Sequence, residues 1–170
     1  MVLRMDPALR IVKAGNRDLA VEDAGPEPGF PVIVHNGTGS RHLFPPAVAE
    51  ARDLGFRLIG YDRPGCGGST AMPGRVIADS AADVQAIMSE LGIAKMAAWG
   101  SSSGGPYALA TAAKLAEAVT AVCLFASIGP YGMLAWTSPM ASAAMPSARR
   151  SAASSKSQGG LGRASVRSQR

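Results

Sequence analysis

Three glycine-rich loops, each entered from a short apolar run, set the tightest limit on how this chain can fold. They are His35-Asn36-Gly37-Thr38-Gly39-Ser40, Asp62-Arg63-Pro64-Gly65-Cys66-Gly67-Gly68-Ser69 and Gly100-Ser101-Ser102-Ser103-Gly104-Gly105. The run 31–34 is apolar on both faces, as strands buried inside a parallel sheet are; residues 57–61 read as the next strand and 94–99 as another of the buried type. Helical stretches are expected at 45–54, 76–91 and 103–118. The first opens on Pro45-Pro46, where missing amide donors cost little, and Gly55 stops it. In the second, Ile77, Ala81, Val84, Met88 and Leu91 recur at steps of four and three and make one stripe. A hairpin of residues 9–13 and 18–23 precedes them, turned by Gly15-Asn16, and a last strand is expected at 120–126. Strand and helix thus alternate, which implies a mostly parallel sheet covered by helices on both faces. All three loops then leave the carboxyl edge of that sheet, where ligands of such folds bind.

Composition narrows the reading. A chain of 170 residues is one domain by default, and 47% apolar residues suffice for a core. With 5% aromatics, that core must be built from Ala, Val, Ile and Leu. The net charge of +5 is unevenly placed. Residues 1–137 carry 11 basic and 12 acidic side chains, whereas 138–170 carry 6 basic and none acidic. Cys66 and Cys123 make neither a disulfide framework nor, with His35 and His42 far from both, a zinc site. No apolar run approaches the roughly 20 residues that span a bilayer, and the first residues lack a signal-peptide core. A cytoplasmic protein with reduced thiols, no metal, no cofactor and no membrane partner is expected.

The third loop fits G-x-S-x-G with Ser102 at its centre, between a strand and a helix. A serine on so sharp a turn has strained backbone angles. The residues two before and two after it approach closely, so Gly100 and Gly104 must lack side chains. The helix start aims amide donors at a developing oxyanion. A flexible Gly/Ser loop, or a phosphate-binding turn at a helix start, fits the same six residues.

Taken together the loops resemble those of the α/β-hydrolase superfamily, in its esterase and proline-iminopeptidase-like branch. His35 to Gly39 resembles the HG-x-P-G oxyanion loop, Tyr61 to Ser69 the Y-D-R-P-G-x-G-x-S loop, and Gly100 to Pro106 the nucleophile elbow. The resemblance covers about residues 9–132 and implies the N-terminal half of an α/β-hydrolase fold, a mostly parallel sheet with an N-terminal antiparallel hairpin. It implies Ser102 as nucleophile, with the backbone amides of Ser103 and Gly37 as oxyanion donors. Gly100, Gly104, His35, Asp62 and Arg63 would support elbow and loops. His35 would brace the oxyanion loop rather than act as base, and the Asp62-Arg63 pair would tie loops together. His42 is expected at the surface or lining the crevice, and Cys66 as a small filler. Tyr107 could face the crevice or pack within the helix layer. Asn36 replaces the second glycine of the family's HG pair, and Thr38 its proline.

Beyond Ser102 the chain departs from the family. The family's triad runs Ser, then Asp or Glu, then His, yet the only acid after Ser102 is Glu117 and there is no later histidine. Residues 1–137 therefore read as a partial α/β-hydrolase domain, and 138–170 as a basic, Ser/Ala-rich tail with the composition of disorder. The tail can be a genuine extension, or the mark of a shifted reading frame or a truncated remnant gene; the second explanation is favoured. An unfinished sheet would expose a strand edge open to self-association. Six cations without interleaved aromatics imply no specific nucleic-acid partner. The expected function is a serine hydrolase acting on a small-molecule ester, amide or similar acyl substrate, impaired by the missing acid and base. The alternative is a non-catalytic remnant or binding module.

Overall fold

The computed structural model describes residues 8–129. The expectation of a disordered tail at 138–170, with its boundary at 137, lies outside the described residues. Strands β1 (Ala8–Ala14) and β2 (Arg17–Ala24) form the antiparallel hairpin, with Ala14 facing Arg17 across Gly15-Asn16. Gly15 sits at φ 66°, the left-handed conformation that a two-residue hairpin turn demands. Then come β3 (Phe30–His35), α1 (Pro45–Asp53), β4 (Phe56–Tyr61), α2 (Ser80–Glu90), β5 (Met96–Ser101), α3 (Gly105–Lys114) and β6 (Val119–Phe125). The six strands lie in the order β1-β2-β4-β3-β5-β6. β2 pairs with β4 antiparallel; β3 pairs parallel with both β4 and β5, and β5 parallel with β6. This is the mixed, mostly parallel sheet of a partial α/β-hydrolase fold.

Alternation along the strands divides the core between two faces. Ile33, Ile59 and Tyr61 join Val84, Ile87 and Met88 of α2 on one face. Val34 and Leu58 meet Val48 of α1 on the other, with Val32 and Trp99 packed alongside. β3 thus leads into a helix on one face, while the neighbouring β5 leads into α3, which packs beside α2 on the opposite face. The chain changes direction between β3 and β5, and a crevice opens there at their carboxyl ends.

Three of the element boundaries that differ from the sequence expectation have a local cause. The second helix begins as a 3-10 turn, Ile77–Asp79, because the Asp79 carboxylate turns back to accept the Val76 amide at 2.7 Å. Ile77 is left exposed, and Ile87 takes its place in the core. β5 starts at Met96 rather than 94 because the end of α2 uses the intervening residues. Gly92 adopts φ 65° and the Ile93 amide reaches back to the Met88 carbonyl at 2.8 Å, closing the helix in a Schellman turn. α3 ends four residues short of 118, where Leu115 leaves helical geometry and its carbonyl accepts the amides of Ala118 and Val119.

Candidate active site

β5 runs into a 3-10 turn, Ser102–Gly104, and then directly into α3. Ser102 has φ 51°, one of two positive values at a non-glycine among the described residues. That left-handed conformation costs an L-residue about 1–2 kcal/mol. The flanking glycines hold it in place. A Cβ on Gly100 would stand 2.7 Å from the Gly105 Cα and 2.9 Å from the Ala108 Cβ. A Cβ on Gly104 would collide with the His35 carbonyl, and one on Gly105 with the Ser127 hydroxyl. The elbow is therefore squeezed between β3, α3 and the strand end after β6. The Ser102 carbonyl accepts the Ile128 amide at 3.1 Å as well as that of Gly105.

Gly37 lies directly against the serine. A Cβ there would be 2.8 Å from the Ser102 Cβ and 3.3 Å from its Oγ. The peptide joining Asn36 to Gly37 is fixed through its carbonyl, which accepts the Gly39 amide at 3.1 Å and Arg63 Nη1 at 3.0 Å. A trans peptide directs its N–H opposite its C=O, so the Gly37 amide points away from Arg63. The next carbonyl, that of Gly37, accepts Arg63 Nη2 at 3.0 Å and the Ser103 hydroxyl. The Asn36 side chain folds the loop onward by donating to the carbonyls of Ser40 and His42 at 2.9 and 2.8 Å.

Asp62 and Arg63 both tie loops, but not to each other. The buried Asp62 carboxylate accepts the amides of Arg41 and Gly68, at 2.7 and 2.8 Å, and pairs with the Arg41 guanidinium at 2.5 Å. Burial alone would push this carboxyl up; the two amides and Arg41 hold it below the usual carboxylate range. A side chain at Gly67 would run into the carboxylate, which explains the glycine there. Ser69 Oγ donates to the Asp62 carbonyl at 2.6 Å and accepts the Ala20 amide at 2.9 Å, anchoring the loop to β2.

His35 is occupied on both sides. Its Nδ1 lies 3.4 Å from the Tyr61 hydroxyl and its Nε2 3.3 Å from Thr111 Oγ1. Burial, and then the positive charge of Arg63, lower its pKa to about 3, so the ring is neutral. It links β3, β4 and α3 and has no nitrogen left for Ser102. His42 behaves differently. With Asn36, Gly37, Thr38, Ser40, Ser101 and Ser102 it lines an open cleft of about 550 Å³, and its Nδ1 lies 3.3 Å from the Glu22 carboxylate. Cys66 packs near Gly39, where an added Cβ would meet its Sγ at 3.0 Å.

Four contributors escape sequence reasoning: Arg41 on Asp62, Thr111 on His35, Glu22 on His42, and the Ser127-Ile128 turn behind the elbow. The doubled Gly104-Gly105 is the one signal in the sequence for that last contact, since a second glycine serves a second close approach.

The fold is shared with known proteins. The α/β-hydrolase fold family model matches residues 32–165. An esterase from Thermogutta terrifontis superposes with a TM-score of 0.61 at 27% identity, covering 71% of this chain and 46% of that one. An esterase from a Rhodococcus species gives 0.60 at 25%, covering 71% and 46%. The proline iminopeptidase-related protein of Thermus thermophilus gives 0.58 at 24%, covering 72% and 45%, and at that identity shows the fold alone. This chain thus spans less than half the length of each of these three structures. No curated protein matches it. Among the described residues no helix is long and apolar enough to cross a membrane. The family match takes in most of the chain, and the mixed sheet is consistent with part of that fold: this chain belongs to the α/β-hydrolase fold family.

Proposed function

We propose that the chain is a serine hydrolase in which Ser102 attacks a small-molecule ester, amide or similar acyl carbon. The observation that carries this reading is the left-handed Ser102 with Gly37 packed against its side chain. A carbonyl placed on Ser102 Oγ would lie between the Ser103 amide, at the start of a helix, and the Gly37 amide. These two donors would stabilise the oxyanion as the tetrahedral intermediate forms. The solved esterases at 25% and 27% identity favour an ester as the leaving group's linkage.

Both histidines precede Ser102 in the sequence, and His35 is engaged and uncharged. Serine without its base is a poor nucleophile, although an oxyanion hole and binding alone leave residual catalysis over water. The expected activity is therefore slow. That same observation favours the second reading, a non-catalytic binding module that retains the elbow.

A fluorophosphonate probe separates the two. Slow labelling of the folded chain, abolished in Ser102→Ala, supports the hydrolase. A folded chain that neither reacts with the probe nor turns over an aryl ester leaves the binding module.

A further inference from the structure

We infer that Tyr107 is a positioning residue for the Gly37 amide, acting through the guanidinium of Arg63. Its value to catalysis rests on the hydrolase reading above; its geometry does not. Arg63 spends its fork on two neutral carbonyls, Asn36 and Gly37, each at 3.0 Å. Those bonds fix the two ends of the fork in its plane but supply nothing against its face. The floor beneath it is Tyr107, whose ring centre lies 4.2 Å from the Arg63 Cζ, within cation–π range. The opposite claim on that ring is weaker. Arg75 stands 5.8 Å from its centre and is held by the buried Asp83 carboxylate at 3.0 Å, which also takes Arg17 at 2.8 Å. Arg75 is thus anchored on a carboxylate that it shares with Arg17, and Arg63 is the cation whose place the ring decides.

Tyr107 stands four residues after Ser103, one helical turn along. Ser103 reaches the Gly37 carbonyl through its own hydroxyl, and Tyr107 reaches the same carbonyl through Arg63. The segment that carries the nucleophile therefore also sets the orientation of the facing donor loop. A closed ring results: Ser102, α3, Tyr107, Arg63, Gly37 and back to Ser102. Without the aromatic floor the guanidinium can leave both carbonyls. The Asn36–Gly37 peptide then keeps only the Gly39 amide on its carbonyl, and its N–H is held less firmly in direction.

The test is glycine-selective 15N NMR of the full chain, comparing wild type with Tyr107→Phe, Tyr107→Leu and Arg63→Lys. Phe keeps the ring face and should leave the Gly37 cross-peak at its wild-type position. Leu fills the space without a quadrupole and should shift and broaden Gly37, while Gly15 and Gly92, far from the site, report in the same spectrum that the fold is intact. Arg63→Lys should reproduce the Leu effect, and the double variant should add nothing to it. A Gly37 peak unmoved in Tyr107→Leu, or effects of the two substitutions that add, would overturn the inference. Should Tyr107→Leu unfold, an unmoved Gly37 in Arg63→Lys overturns it equally. Fluorophosphonate labelling of Ser102 should slow about tenfold in Leu and not in Phe. If wild type itself is never labelled, the hydrolase reading falls, and Gly37 still decides the role of Tyr107.

Discussion

Two arginines stand at opposite ends of β4, and they are used in opposite ways. Arg57, near the strand's start, meets charge with charge. Its Nε and Nη2 take both oxygens of Asp23 at 2.8 and 2.7 Å, and its Nη1 takes Glu27 at 2.5 Å. The bonds to Asp23, with the charges of both carboxylates, raise its pKa further against the opposing effect of burial. Arg63, just past the strand's end, meets two carbonyls and an aromatic ring. Its charge is therefore not cancelled locally, and it reaches His35, whose pKa it helps to depress. The amino end of the sheet is built to be stable. The carboxyl end holds an arginine with no carboxylate partner and a serine in a left-handed conformation.

The contrast is broken most sharply at Arg57. Arg57→Leu leaves the Asp23 carboxylate buried without its main partner and should cost about 3–5 kcal/mol in chemical denaturation. A loss no larger than that of Arg63→Lys would mean that the two ends are not built differently. Arg63→Lys retains the charge and gives up a forked pair of neutral bonds, and should cost about 1–2 kcal/mol.

Acid stability tests the carboxyl end directly. His35 is neutral in the fold down to about pH 3, whereas in the unfolded chain it takes a proton near pH 6.5. The unfolded state thus binds the extra proton, and stability falls as pH drops from about 6.5 towards 3, by at most about 1.4 kcal/mol per pH unit from this group. The Asp62 carboxyl, held below its ordinary value, adds to the loss at the acid end of that range. His35→Gln should flatten the limb between pH 6 and 4 in urea titrations followed by circular dichroism. An unchanged slope in that variant would place the acid sensitivity elsewhere.

The smallest effect has the opposite sign. Ser102→Gly relieves the left-handed strain and should stabilise the chain by about 1 kcal/mol while removing all probe labelling. A loss of stability would mean that the Ser102 side chain holds the elbow rather than being held by it.

How far these regions could be read from the sequence depends on the reach of each interaction. The sheet and its helices were legible because apolar periodicity and glycine stops are local. The elbow was legible because Gly100 and Gly104 answer to steric needs two residues away from Ser102. Helix ends were misjudged where a side chain redirected the backbone, as Asp79 does before α2. The Arg63–Tyr107 stacking and the Arg41–Asp62 pair join residues 44 and 21 positions apart. No spacing rule carries such pairs. The stripe through Ile77 failed for a related reason: the period was right, but its first member lies in the 3-10 turn ahead of the helix, and Ile87 fills the core instead.

The order of the strands also bears on synthesis. β5 is laid beside β3 and β6 beside β5, so the sheet grows outward on one side as the chain leaves the ribosome. On the finished side, β1 carries Arg10 and Lys13, charges that discourage a foreign strand. On the growing side, β3, β5 and β6 carry no Lys, Arg, Asp or Glu, and β6 shows Val122, Leu124 and Phe125 to solvent among the described residues. β3 is thus a sticky border until β5 arrives, and β5 until β6 does. A nascent chain of this kind depends on pace: β6 has to reach β5 before a strand offered by another chain does, or a chaperone has to cover residues 96–101 in the interval.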